Sequence, residues 1–117
     1  MRENIIKDKT YKFSLKIIKL YQYLSKEIKE FVIAKQILRS GTSIGANIEE
    51  STGAQSKKDF IAKFHIALKE AKETHYWLRL LKDSELIEVQ LIDSFLNDLN
   101  EIITIITAIL KSSKLKV

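Results

Sequence analysis

Apolar residues in the second half of this chain recur at alternating intervals of four and three. Phe60, Phe64, Ala67, Ala71, Leu78 and Leu81 form one series, with Thr74 its polar exception, and Ile92, Leu96, Leu99, Ile103, Ile106 and Leu110 form another. That interval stacks side chains on one helix face, so the pattern predicts long amphipathic helices over about 57–82 and 88–111. Leu91, Phe95, Ile102 and Ile109 add a second seam to the later helix. In the first half, Tyr11, Leu15 and Ile18 make one seam, and Phe13, Ile17, Leu20 and Leu24 make another, on a helix expected over about 8–25. Residues 1–7 read as a frayed lead-in, Lys26 to Glu30 as a short polar connection, and 112–117 as a loose tail.

The stretch from Arg39 to Ala54 holds all three glycines and looks at first like a loop. Its spacing says helix. Ile37, Gly41, Ile44 and Ile48 fall on one face, and Arg39, Ser43, Asn47, Glu50 and Ala54 fall on the opposite one. Gly41 and Gly45 stand one turn apart. A glycine inside a helix costs about 1 kcal/mol relative to alanine, so close backbone packing is the reason to keep them. A helix over about 31–53 is expected, with Gly53 in its stop signal and Ser56 and Asp59 capping the next. Four helices with short connections predict an all-α, up-and-down antiparallel four-helix bundle in one domain spanning 1–117. Two apolar seams on each terminal helix exceed what a lone bundle hides, and exposed stripes mark interfaces. A homo-oligomer is therefore expected.

Composition narrows the classes. The chain has no proline, no cysteine and three glycines, which leaves little to build the tight turns of a β domain and no disulfide or thiolate metal site. No apolar run reaches membrane-spanning length, and MRENIIKDK is not a signal peptide, so a cytoplasmic protein without a membrane partner is expected. His65 and His75 lack the spacing of a zinc or di-iron bundle site, and no lysine follows Gly41 or Gly45 as in a phosphate loop. No metal or other cofactor is expected.

The net charge of +5 is unevenly distributed. From Lys9 to Lys26 the only charged residues are lysines, whereas Asp83 to Glu101 is rich in acids. Lys9, Lys12, Lys16, Lys19 and Lys26 lie within an arc of about 100° on an ideal helix, with Tyr23 between the last two. Lys69, Lys72, Tyr76 and Arg79 repeat the spacing on the third helix, although Glu73 and Asp59 stand where they can pair with Lys69 and Lys63. Basic side chains at such spacing supply phosphate contacts, and an interleaved tyrosine can stack on a base. The plainer account is a solvated face. The polar row Arg39, Ser43, Asn47 and Glu50 is either a ligand or acid–base site or a network of hydrogen bonds and ion pairs fixing register. No nucleophile–base pair accompanies it, so no enzyme is expected.

The run Arg39, Ser43-Ile44, Asn47-Ile48, Glu50 and Gly53, followed by FIAKFHIALKEAKETHYWLRLL, resembles the four-helix bundle proteins encoded in intervening sequences of large-subunit ribosomal RNA genes. Accessory variability proteins of diversity-generating retroelements are similar to these. The resemblance covers roughly Asp8 to Leu110. It implies a ring-like pentamer of four-helix protomers, and in the retroelement branch a basic barrel that binds nucleic acid and a reverse transcriptase. It assigns Arg39, Ser43, Asn47, Glu50 and Gly53 to structural motif positions, beside the packing glycines Gly41 and Gly45. Ala54-Gln55 departs from the basic residue members often carry after the motif glycine, and Phe31-Val32 from their Phe-Pro entry to the second helix. The expected function is that of an oligomeric accessory protein binding RNA or DNA through Lys9, Lys12, Lys16, Lys19, Tyr23, Lys26, Lys72 and Arg79. The alternative is a scaffold that assembles with itself or a protein partner.

Overall fold

In the computed structural model, residues 2–115 are described, with side chains described for 3–113. Helix α1 spans Arg2–Tyr23 and passes directly into a π-helical turn, Leu24–Ile28; α2 spans Val32–Ser51, α3 Lys57–Asp83 and α4 Val89–Leu115. No strand occurs among the described residues.

Each boundary has a local cause. The π turn closes at Lys29, whose left-handed backbone (φ 61°) turns its N–H back to the Leu24 carbonyl. The Glu30 carboxylate accepts from the Ala34 N–H at 3.0 Å, satisfying one of the orphan donors that open α2. At the start of α3, Ser56 Oγ accepts from the Asp59 N–H at 3.0 Å and Asp59 reaches back to the Gln55 N–H at 3.4 Å. That is the expected cap, with its return arm one residue earlier than in the usual box. Gly53 has no positive φ, and a Cβ there would meet nothing nearer than 3.9 Å. The exit from α2 therefore does not need a glycine.

Toward both ends the described residues are more helical than the sequence suggested, Met1 lying outside them. Residues 2–7 belong to α1 because Ile6 is fully buried and anchors that first turn, with Thr10 Oγ1 donating to its carbonyl at 2.8 Å. Residues 112–115 of the expected loose tail continue α4, and 116–117 lie outside the described residues.

Short connections return each helix alongside the one before it, in the succession of an up-and-down bundle 47 Å long and 20 Å across. α1 packs on α2 and α4, and α3 packs on the same two. The heptad of α3 faces inward, and Phe13, Ile17, Leu20 and Leu24 of α1 are buried. A Cβ on Gly41 would stand 2.9–3.0 Å from three Ile17 carbons, and one on Gly45 would stand 3.2 Å from the Thr10 carbonyl oxygen and Ser14 Oγ. The two glycines let α2 lie close against α1. On its other side α2 meets α3 through Ser40 and Thr74, fully buried hydroxyls 2.8 Å apart.

The second apolar seam expected on each terminal helix stays exposed on α1 and is mostly buried on α4. Tyr11, Leu15 and Ile18 stay 65%, 48% and 40% exposed. On α4, by contrast, Phe95, Ile102 and Ile109 are buried, leaving only Leu91 of that seam outside. A helix flanked by two neighbours has two faces to cover. Here Phe95 meets α1 edge-on, its ring centroid 6.2 Å from that of Phe13.

Candidate nucleic-acid interface

The basic row of α1 runs alongside the acidic stretch of α4, and two ion pairs join them. Lys9 pairs with Glu101, and Lys16 pairs with Asp98. Lys16 also reaches Ser94 Oγ at 3.3 Å and lies 4.7 Å from the centre of the Phe95 ring. Its hydrogen bond to Glu101 holds the Lys9 ammonium above the usual lysine range. Lys12 turns back along its own helix to Asp8 at 3.0 Å. Among the described residues Lys19 and Lys26 make no ion pair, and Tyr23 is exposed between them. Of the five lysines expected to form a phosphate surface, Lys9 and Lys16 thus stand beside α4 carboxylates and Lys12 beside Asp8 of its own helix, whereas Lys19 and Lys26 have no carboxylate beside them among the described residues.

Helix α3 gives the opposite outcome. Glu73, which the sequence offered as a partner for Lys69, is drawn instead to Arg39 of α2 and accepts from Trp77 Nε1 at 3.1 Å. Arg39 is the main cause of its carboxyl lying below the ordinary value, followed by the indole. Lys63 likewise leaves Asp59 for Glu50 of α2, at 2.8 Å. Among the described residues, Lys69, Lys72 and Arg79 are exposed and make no ion pair, although the Lys69 charge still helps to lower the Glu73 carboxyl. With Tyr76 they occupy an arc of about 80° over roughly 15 Å at ideal helical geometry. Tyr76 is 49% exposed and braced on two sides, edge-on to Trp77 at 5.2 Å and with the Arg79 guanidinium 5.9 Å from its ring.

The polar row of α2 joins helices rather than forming a pocket. Arg39 bridges Glu73 and Glu70, the latter at 3.2 Å, while Glu50 holds Lys63. Ser43 Oγ donates to the Arg39 carbonyl at 2.6 Å and Asn47 Nδ2 to the Ser43 carbonyl at 2.8 Å. These bonds fasten α2 to α3 and to itself. Among the described residues no group of three His, Asp or Glu side chains is placed to hold a metal ion, and no helix is long and apolar enough to cross a membrane.

Comparison with known proteins adds the relationship. The family model of the 23S rRNA-intervening sequence protein matches residues 2–108. The chain belongs to that family. A crystal structure of a protein of unknown function from the S23 ribosomal protein family of Bacteroides thetaiotaomicron VPI-5482 shares 53% of its sequence. It superposes with a TM-score of 0.93, over 95% of this chain and 99% of that one. No curated protein matches.

Within this intervening-sequence protein, two features escaped the sequence reading. One is the pairing of Lys9 and Lys16 with Glu101 and Asp98, signalled by carboxylates three residues apart on α4 opposite lysines seven apart on α1. The other is the competition for Glu73, signalled by Arg39 facing Glu70 and Glu73 across α2 and α3.

Proposed function

We propose that this intervening-sequence protein is a non-enzymatic, self-associating cytoplasmic accessory protein that binds RNA or DNA along the outer face of α3. The observation carrying this reading is the exposed row Lys69, Lys72, Tyr76 and Arg79, whose cations have no ion-pair partner among the described residues, while Lys9, Lys12 and Lys16 of α1 are paired. Phosphates supply the affinity, and Tyr76, held in place by Trp77 and Arg79, supplies a ring for a base to stack on. Retention on heparin across a salt series tests it. The wild type is retained, and Lys69→Glu/Lys72→Glu/Arg79→Glu flows through with unchanged helicity. Equal retention of the two proteins overturns the α3 assignment.

A second reading, a self-assembling scaffold without nucleic acid, draws on the groove between α1 and α2. Tyr11, Leu15 and Ile18 rise beside Gly45 and Ala46 around a volume of about 540 Å³. The likeness to retroelement accessory proteins carries with it a ring-like pentamer and a reverse transcriptase as partner, and this apolar row supports the assembly half of that likeness. Unmodified protein that is oligomeric yet passes through heparin would select the scaffold.

A further inference from the structure

We infer that Arg39, Glu73 and Trp77 form a positioning relay that sets the Tyr76 ring at the angle an unpaired base needs to stack on it. The inference rests on the α3 reading above and gives a residue of α2 a part in that site. The contacts are continuous. Arg39 reaches Glu73 across the α2–α3 interface, and the carboxylate oxygen it grips, Oε2, also accepts from Trp77 Nε1 at 3.1 Å. The indole in turn meets the Tyr76 ring edge-on, with 5.2 Å between centroids and 69° between planes. Adjacent side chains on a helix diverge by about 100°, so these two rings touch because each leans toward the other. The hydrogen bond to Glu73, one turn back, fixes the lean of the indole, and Arg79 stands 5.9 Å from the Tyr76 ring on another side.

Arg39 matters because Glu73 has a second suitor. Lys69 lies one turn away on the same helix, and its charge already bears on the Glu73 carboxyl. Captured by Lys69, that carboxylate would release the indole and cancel one cation of the basic row at the same time. Arg39 thus serves the α3 face twice while standing outside it. A ring held in place beforehand loses little freedom when a base settles on it, whereas a loose ring must be ordered at that moment. Stacking also needs a base with a free face. The paired bases of a duplex are stacked on one another, so a duplex meets the cations alone. The relay therefore bears on single strands and leaves duplexes unaffected.

Titrating a labelled single-stranded RNA and the corresponding duplex separates the two contributions. Tyr76→Ala sets the scale, lowering single-strand affinity by about fivefold or more with duplex affinity unchanged. Trp77→Phe keeps an aromatic ring but no N–H, and Arg39→Gln/Glu73→Gln leaves the net charge as it was. Each reproduces part of the Tyr76→Ala loss, again without effect on the duplex. Equal losses for single strand and duplex would mean a general disturbance of the bundle and overturn the relay. Full single-strand affinity in Tyr76→Ala, or in both relay variants, overturns it too. Trp77 is the one tryptophan of the chain, which adds a readout free of RNA. Its fluorescence anisotropy decay gains a fast component in Arg39→Gln/Glu73→Gln, and an unchanged decay overturns the relay even where the α3 face binds RNA. Wild-type protein that binds neither RNA overturns the α3 reading itself, and the role of the relay with it.

Discussion

Single residues of this chain are held to their positions by distances of a few tenths of an ångström. Gly41 is the sharpest case, since a Cβ there collides with an Ile17 side chain that is itself fully buried. Overpacking of this kind costs about 1–3 kcal/mol, against a helix-propensity gain of about 1 kcal/mol for alanine over glycine. Gly41→Ala is therefore expected to be neutral to destabilising by as much as about 2 kcal/mol in urea unfolding. In an Ile17→Ala background the same change should be neutral or stabilising, and a cost unaffected by Ile17 would refute the packing account. His75 is held below the ordinary imidazole value, first by burial and then by nearby Arg79, with an opposing hydrogen bond to Asn100. Its folded-state value is thus below its unfolded one, so the unfolded chain binds more protons as the pH drops. The stability lost on acidification begins to go below about pH 6.5, and thermal melts of His75→Gln should lack that part of the decline. Glu73 acts in the same direction in a lower window, below the ordinary carboxylate value, where protonation would release Arg39. Residue-level meaning was legible for Gly41, because helical spacing and the cost of glycine imply a close neighbour. It was not legible for Gly53, whose place in a stop signal suggested a conformation it does not adopt.

The elements were predicted well where a heptad is long and poorly where charge or chain ends decide. The apolar series of α3 and α4 fixed their inward faces, and Ser56 marked the start of α3. The lysines of α1 and acids of α4 were visible as a charge asymmetry, but sequence order alone does not say that two helices some eighty residues apart lie side by side. In an up-and-down bundle they do, and Lys9 and Lys16 pair with Glu101 and Asp98. Reversing Lys9 and Lys16 to Glu should therefore lower the thermal midpoint by setting like charges across α1 and α4. Adding Asp98→Lys and Glu101→Lys should recover it. A reversal without thermal effect would mean that these contacts are decorative, as many exposed ion pairs are.

At the scale of the whole molecule, α1's outer row, the α1–α4 cleft beside Leu91 and the basic face of α3 are among the surfaces the bundle leaves open. Introducing Glu at Leu15 and Ile18 together is expected to reduce assembly through the α1 row in sedimentation experiments while leaving the helical spectrum unchanged; unaltered mass would remove that row as an interface. On the proposed reading the cations divide the work, those of α1 being mostly structural and those of α3 free to meet phosphates. Anisotropy of a labelled single-stranded RNA, titrated at several salt concentrations, tests it most directly. Lys69→Gln/Lys72→Gln/Arg79→Gln should lower affinity and flatten the logarithmic salt slope by about 2–3, at roughly 0.7–0.9 per lost phosphate contact, whereas Lys9→Gln/Lys16→Gln should leave both as in the wild type. The reverse pattern, with slope lost on changing α1 and kept on changing α3, would contradict the account.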